Sequence, residues 1–289
     1  MSDCAPTYAD LRYADTSPVQ LLDLYLPHDQ TGAPLPLVVV IHGGAFLMGD
    51  KRSEITAIPA LLERGYAIAS IGYRLSGEAT FPAAVQDCKA GLRWLSTNVE
   101  TYGLDRSRFA LWGASAGGHL AAMLGVTGDQ PTPFDTTSDP AVDASVAAVI
   151  DWFGPTRFVA MDAQDRERPP TGEPDLPPPW PREHDDPVSP ESRYLGAPIQ
   201  TVPELATASD PTMYVPTAAT LPPFLIVHGD GDHLVPHLQS VLLADELRAH
   251  GGKVDLRILP GFGHGGPGWV EEVLPASIDW LDATLGPGA

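Results

Sequence analysis

The stretch Arg108-Phe109-Ala110-Leu111-Trp112-Gly113-Ala114-Ser115-Ala116-Gly117-Gly118-His119-Leu120 decides how this chain is read. Phe109 to Trp112 is an apolar run long enough for a buried strand, and Ala116 to Leu124, rich in Ala and Leu, predicts a helix. Between them lies Gly113-x-Ser115-x-Gly117, the pattern of a serine held on a sharp strand-to-helix turn. Such a turn strains the backbone at the serine and brings neighbouring chain close, so glycine suits both flanking positions. Ser115 then stands above a sheet, with the Ala116 amide at the positive end of the new helix.

Outward from this turn, strand-like and helix-like stretches alternate. Leu37 to Ile41 is a continuous branched apolar run, the mark of a strand buried on both faces, and it ends in His42-Gly43-Gly44-Ala45-Phe46. Further strands are expected at Tyr66–Tyr73, Ser145–Phe153, Leu221–His228 and Val254–Leu259. Helices are expected at Ile55–Arg64, Pro82–Val99, Gln239–His250 and Trp269–Leu285. Alternating apolar and polar residues at Tyr8–Asp15 and Val19–Leu26 predict antiparallel strands at a sheet edge. The class that follows is α/β: one domain over residues 1–289, with a mostly parallel sheet and helices on both faces.

One region breaks the alternation. Arg157 to Pro216 has little periodicity and much proline, and it falls between two core strands above the end where the turn points. A connection this long inside a compact domain predicts a cap over a pocket, with a short helix near Val202 to Ala208. Its aromatic residues Trp180 and Tyr194, together with Phe46, are the expected substrate contacts.

The 289 residues carry 17 Lys plus Arg against 37 Asp plus Glu, a net charge of −20 that repels nucleic acid and anionic membranes. Two cysteines, Cys4 and Cys88, imply neither a disulfide framework nor a metal cluster. No basic segment followed by an apolar one opens the chain, and no apolar run reaches membrane-span length. The expectation is a soluble, cytoplasmic protein acting on a small molecule, a reading with which a homo-oligomer is compatible.

A serine hydroxyl needs a base, and the base an orienting carboxylate, in the chain order Ser, Asp or Glu, His on a fold of this kind. His264, in the glycine-rich loop after Val254–Leu259, is the expected base. Asp230 and Asp232, in the loop after Phe224–Val227, are the candidate acids. Asp232 is preferred for its reach, though the residues alone leave the choice open. Backbone amides of Gly43, Gly44 and Ala116 are the expected donors to an oxyanion. His119 is expected to be packed, and His28, His184 and His250 to be solvated. The grouping of His228, His233 and His237 with Asp230 and Asp232 matches no zinc spacing, so no metal is expected.

With these motifs in order, the chain resembles the α/β-hydrolase superfamily. Within it, the likeness is to hormone-sensitive-lipase-like carboxylesterases, and nearest to the bifunctional feruloyl and acetyl xylan esterase group. The residues that carry it are His42-Gly43-Gly44-Ala45-Phe46, Gly49-Asp50-Lys51, Gly72-Tyr73-Arg74-Leu75, Trp112 to Leu120, Phe153-Gly154-Pro155-Thr156, His228 to Asp232 with Val235-Pro236, and Gly263-His264-Gly265. The resemblance implies Asp232 as the acid and hydrolysis of esters, whether short-chain, acetyl or feruloyl-type, without cofactor or metal. Ala45 departs from the usual third glycine and narrows the implied acyl pocket. An amidase or formamidase using the same triad, or a non-catalytic binding protein of this fold, are the alternative readings.

Overall fold

In the computed structural model, residues 5–28, 32–53, 56–128, 130, 132, 134–135, 139–167, 181 and 183–286 are described. Among these residues eight strands form one sheet: β1 (Tyr8–Arg12), β2 (Leu21–Tyr25), β3 (Leu35–Ile41), β4 (Ala67–Ile71), β5 (Leu104–Ala114), β6 (Ala148–Trp152), β7 (Phe224–Gly229) and β8 (Val254–Leu259). Their spatial order is β1-β2-β4-β3-β5-β6-β7-β8. Only β2 runs against its neighbours; from β4 to β8 every pairing is parallel. This is the expected α/β-hydrolase architecture, antiparallel edge included.

The strand types follow from burial. All seven residues of β3 and all five of β4 are buried, as continuous apolar runs demand when helices cover both faces. The helices are α1 (Ile58–Glu63), α2 (Ala83–Thr97), α3 (Val99–Tyr102), α4 (Ala116–Thr127), α5 (Phe158–Glu167), α6 (Pro190–Leu195), α7 (Pro203–Ala208), α8 (Leu238–Ala249) and α9 (Leu274–Leu285). Helix α4 is buried at every position, which explains why it is apolar all round rather than striped. A π-helical turn, Trp269–Val273, leads into α9, so the expected closing helix has two windings. Strand β5 extends to both sides of the apolar run that announced it, because its polar first half pairs only at Leu104 before the ladder resumes at Phe109.

The described residues between 157 and 216 hold more structure than the composition of the segment suggests. The expected short helix is there as α7, but α5, α6 and three 3₁₀ turns accompany it. Proline misleads because several of these prolines sit in the first turn of a helix, where the missing N–H has no partner to lose: Pro190 in α6 and Pro203 in α7. Helix α6 is capped by Ser189, whose hydroxyl accepts from the Ser192 amide, and ends at Gly196 with φ 88°. Ion pairing fastens the segment as well, with Arg157 Nε donating to Asp210 Oδ2 at 2.7 Å.

At the centre, β3, β5 and α4 approach so closely that side chains are excluded. A Cβ on Gly117 would overlap the Ile41 carbonyl oxygen, and one on Gly113 would overlap the Gly117 carbonyl. Gly117→Ala is therefore expected to destabilise the protein by at least ~2 kcal/mol, because the obstacle is backbone that cannot turn aside. Urea unfolding of the variant against the wild type measures it.

Candidate active site

Ser115 sits between β5 and α4 with φ 56° and ψ −123°, a conformation that a non-glycine residue holds only under constraint. Its amide donates to the Trp152 carbonyl at 2.8 Å, and its carbonyl accepts from His119 N at 3.1 Å, so strand β6 and the first turn of α4 both grip it. The hydroxyl lies 2.9 Å from His264 Nε2, and His264 Nδ1 lies 2.6 Å from Asp232 Oδ2. A carboxylate only accepts, so Nδ1 carries the proton, and in the neutral ring Nε2 is left to accept from Ser115. The three residues come from the ends of β5, β7 and β8, 149 positions apart in sequence at the widest.

Asp232 is buried and held from several directions. Its Oδ1 accepts from Leu234 N at 2.8 Å and Val235 N at 2.9 Å. Burial by itself would push this carboxyl up, but the His264 imidazole beside it and hydrogen bonds from His228 and His264 hold it well below the usual carboxylate range. His228 donates from Nε2 to the Val235 carbonyl at 2.9 Å, lies 3.2 Å from Asp232 Oδ2, and accepts at Nδ1 from the Ser240 hydroxyl at 2.7 Å. Asp230, the other candidate, instead accepts from Gly261 N at 2.6 Å and braces the loop.

The loop after β3 arrives beside the serine. A side chain on Gly43 would press on the Ala114 carbonyl at 2.8 Å, and Gly44 has φ 107°. Ala45 and Phe46 follow at φ 56° and 59°, and Gly44 O accepts from Leu47 N and Met48 N. Among the described residues no carbonyl accepts from the amides of Gly43, Gly44 or Ala116. All three line one cavity of about 440 Å³ with Ser115 and His264. Phe153, at φ 44°, places its ring 4.5 Å from that of His264 and so walls the imidazole from one side. The rest of the wall is apolar at Trp152, Trp269 and Leu274 and polar at His184 and Glu191.

Two expectations need correction. Tyr194 does not line the cavity: it is 1% exposed and stacks behind Phe46 at 4.0 Å between ring centroids. With His119 and Phe158 it forms an aromatic cluster that anchors α5 and α6 to α4. His184 is not solvated but 9% exposed and on the cavity wall. Its Nδ1 meets Asp162 Oδ1 at 2.8 Å and its Nε2 meets the Leu234 carbonyl at 3.1 Å. Both partners only accept, so both nitrogens carry protons and the ring is a cation. Burial opposes that charge, but Asp162 and the nearby Glu191 outweigh it and raise His184 to about 9. Sequence reading misses the pair because no periodicity marks the stretch that contains it. His119 is packed as expected, donating from Nδ1 to Pro155 O at 2.9 Å. Phe46 lines the cavity as expected, and Trp180 lies outside the described residues. Among the described residues no three His, Cys, Asp or Glu side chains gather as a metal-binding group, and no helix is long and apolar enough to cross a membrane.

A family model described as BD-FAE matches residues 22–247. The chain belongs to the BD-FAE family. Esterase LipC of Mycobacterium tuberculosis is 31% identical to it over 255 residues, 88% of this chain and 58% of that protein. The isoprenylcysteine alpha-carbonyl methylesterase ICME of Arabidopsis thaliana is 28% identical over 270 residues, 87% of this chain and 55% of that one. This BD-FAE chain thus spans a little over half the length of these curated relatives. Among solved structures, a truncated carbohydrate esterase from gut microbiota matches with a TM-score of 0.81 at 28% identity over 98% of each chain. An esterase of Thermogutta terrifontis, solved with propionate, matches with a TM-score of 0.73 at 21% identity over 99% and 97%, a likeness of fold alone.

The His184 ion pair has a pH consequence. A histidine raised in the folded state contributes stability that is fully present below its unfolded pKa and lost as pH rises through the folded one. The wild type is therefore expected to lose melting temperature between pH ~6.5 and about 9. His184→Gln should flatten that slope, and thermal melts of both proteins across this range test it.

Proposed function

We propose that this BD-FAE chain is a serine ester hydrolase in which Ser115 is the nucleophile, His264 the general base and Asp232 the residue that holds the base in its tautomer. The observation that carries the reading is the unbroken run of hydrogen bonds from Asp232 through His264 to Ser115 on the wall of a largely apolar cavity. Ser115 attacks the ester carbonyl as its proton passes to His264 Nε2. Negative charge develops on the carbonyl oxygen, where the free amides of Gly43, Gly44 and Ala116 are the donors. The amide of Ala116 has the added weight of opening a twelve-residue helix. His264 then gives its proton to the departing alkoxide, and a water activated by the same imidazole cleaves the acyl-enzyme.

The low-lying Asp232 carboxyl suits this cycle, since it stays ionised opposite the imidazolium that forms at each step. A cavity of about 440 Å³ suits small esters, with short-chain, acetyl and aryl acyl groups the proposed range. The names of the relatives, esterase and methylesterase, point to the same bond.

Ser115→Ala should leave a folded protein whose kcat falls by roughly a million-fold. A fluorophosphonate probe should label the wild type at Ser115 and fail on the variant; labelling that persists would assign the nucleophile elsewhere. Asp232→Asn should cost about ten-thousand-fold in kcat by favouring the wrong tautomer. Asp230→Asn, at a side chain that accepts from the Gly261 amide, should cost activity far less. Steady-state hydrolysis of p-nitrophenyl acetate by the two variants compares them, and equal losses would contradict the assignment of the acid.

A further inference from the structure

The triad and the oxyanion donors leave one buried cation of the cavity wall unused: His184, between α5 and α6. It is held at every polar atom. Its amide and its Nδ1 both donate to Asp162 Oδ1, at 2.6 and 2.8 Å. Its carbonyl accepts from the hydroxyls of Ser189 and Ser192. Nε2 reaches out of this clamp and donates to the Leu234 carbonyl at 3.1 Å. Asp162 on α5 and Glu191 on α6 are the acidic groups that face the ring and keep it charged against burial.

The Leu234 carbonyl is one end of the Leu234–Val235 peptide. The other end is the Val235 amide, which donates to Asp232 Oδ1 at 2.9 Å. This peptide is trans, so it is planar and its C=O and N–H point opposite ways. A donor that fixes the oxygen on one side therefore aims the N–H on the other. Hydrogen bonds in such a row also polarise one another, so a cation at the carbonyl makes the amide a stronger donor. From Asp232 Oδ2 the row continues to His264 Nδ1 at 2.6 Å, and from His264 Nε2 to the Ser115 hydroxyl at 2.9 Å. His228 holds the next carbonyl, Val235 O, at 2.9 Å, but the peptide behind it ends in Pro236, which has no N–H to pass on.

Resting on the ester-hydrolase reading, we propose that His184 is a positioning residue of the triad: its Nε2–H holds the Leu234–Val235 peptide, and through the Val235 amide it fixes the Asp232 carboxylate for His264. The role needs a proton on both ring nitrogens. When one is lost, the other stays beside the Asp162 carboxylate, and Nε2 then turns a lone pair on the Leu234 carbonyl. The row opens at that point. Activity that depends on it should therefore fall as pH rises through about 9.

The test uses hydrolysis of p-nitrophenyl acetate, corrected for the spontaneous reaction, with tryptophan fluorescence reporting that each protein is folded. In the wild type, kcat/KM should fall through pH about 9. In His184→Gln, whose side-chain amide donates without titrating, that fall should be absent. His184→Leu removes the donor and should lower kcat/KM about tenfold at neutral pH, the worth of one charge-assisted hydrogen bond; His184→Gln should recover most of the loss. Because the effect passes through Asp232, His184→Leu should cost little more when Asp232→Asn is already present. An equal cost in both backgrounds overturns the proposal, since it marks a direct effect on the substrate. So does a folded His184→Leu at the wild-type rate. So does a folded wild type with no alkaline fall, a result that needs no variant to fold. If the wild type does not hydrolyse the ester at all, the ester-hydrolase reading falls with this one; if it does and the two costs are independent, only the role of His184 falls.

Discussion

Everything at the site depends on one close approach of backbone. The last residues of β3, the end of β5 and the first turn of α4 occupy a volume with no room for a Cβ at Gly113 or Gly117. That contact forces the chain to reverse within a residue, and Ser115 takes the strain with φ 56°. A strained serine is costly on its own, on the order of 1–3 kcal/mol. The burial of α4 along its whole length and the parallel ladders of β5 with β3 and β6 hold it there. With the hydroxyl so placed above the carboxyl edge of the sheet, the loops leaving β3, β7 and β8 have one point on which to converge.

The polarity of that point is set by which atoms can only accept. Carboxylate and carbonyl oxygens decide the proton on every ring nearby: Asp232 puts it on Nδ1 of His264, Val235 O puts it on Nε2 of His228, and Asp162 with Leu234 O makes His184 a cation. The acid loop Asp232 to Val235 is the junction of this network. Its amides hold Asp232, and its carbonyls hold His228 from below and His184 from the cap. The stretch from α5 to α6 is therefore joined to the sheet twice, by the aromatic cluster of Phe46, His119, Phe158 and Tyr194, and by His184 on the loop after β7.

Local pattern was enough to determine the alternation of strands and helices, the parallel sheet, the elbow at Ser115 and the loops carrying Asp232 and His264. These are legible because a buried strand must be continuously apolar, a sharp turn needs glycine, and a strand-end loop leaves its polar residues near the edge. Which of Asp230 and Asp232 meets His264 was not legible from the residues alone. In the structure it rests on two amides, at Leu234 and Val235, and on two imidazoles that reach one carboxyl and leave the other on Gly261. The segment 157–216 was legible as a break in the alternation, but the helices among its described residues were not. Nor could its side chains be sorted: Tyr194 turned inward as an anchor, while His184 and Glu191, in a stretch with no period, came to the cavity. Those places are decided by packing against β5, α4 and the acid loop, residues far away in sequence. A local pattern carries the energetics of its own backbone and its own exposed face; it carries no information about which distant carbonyl or ring will complete a buried charge.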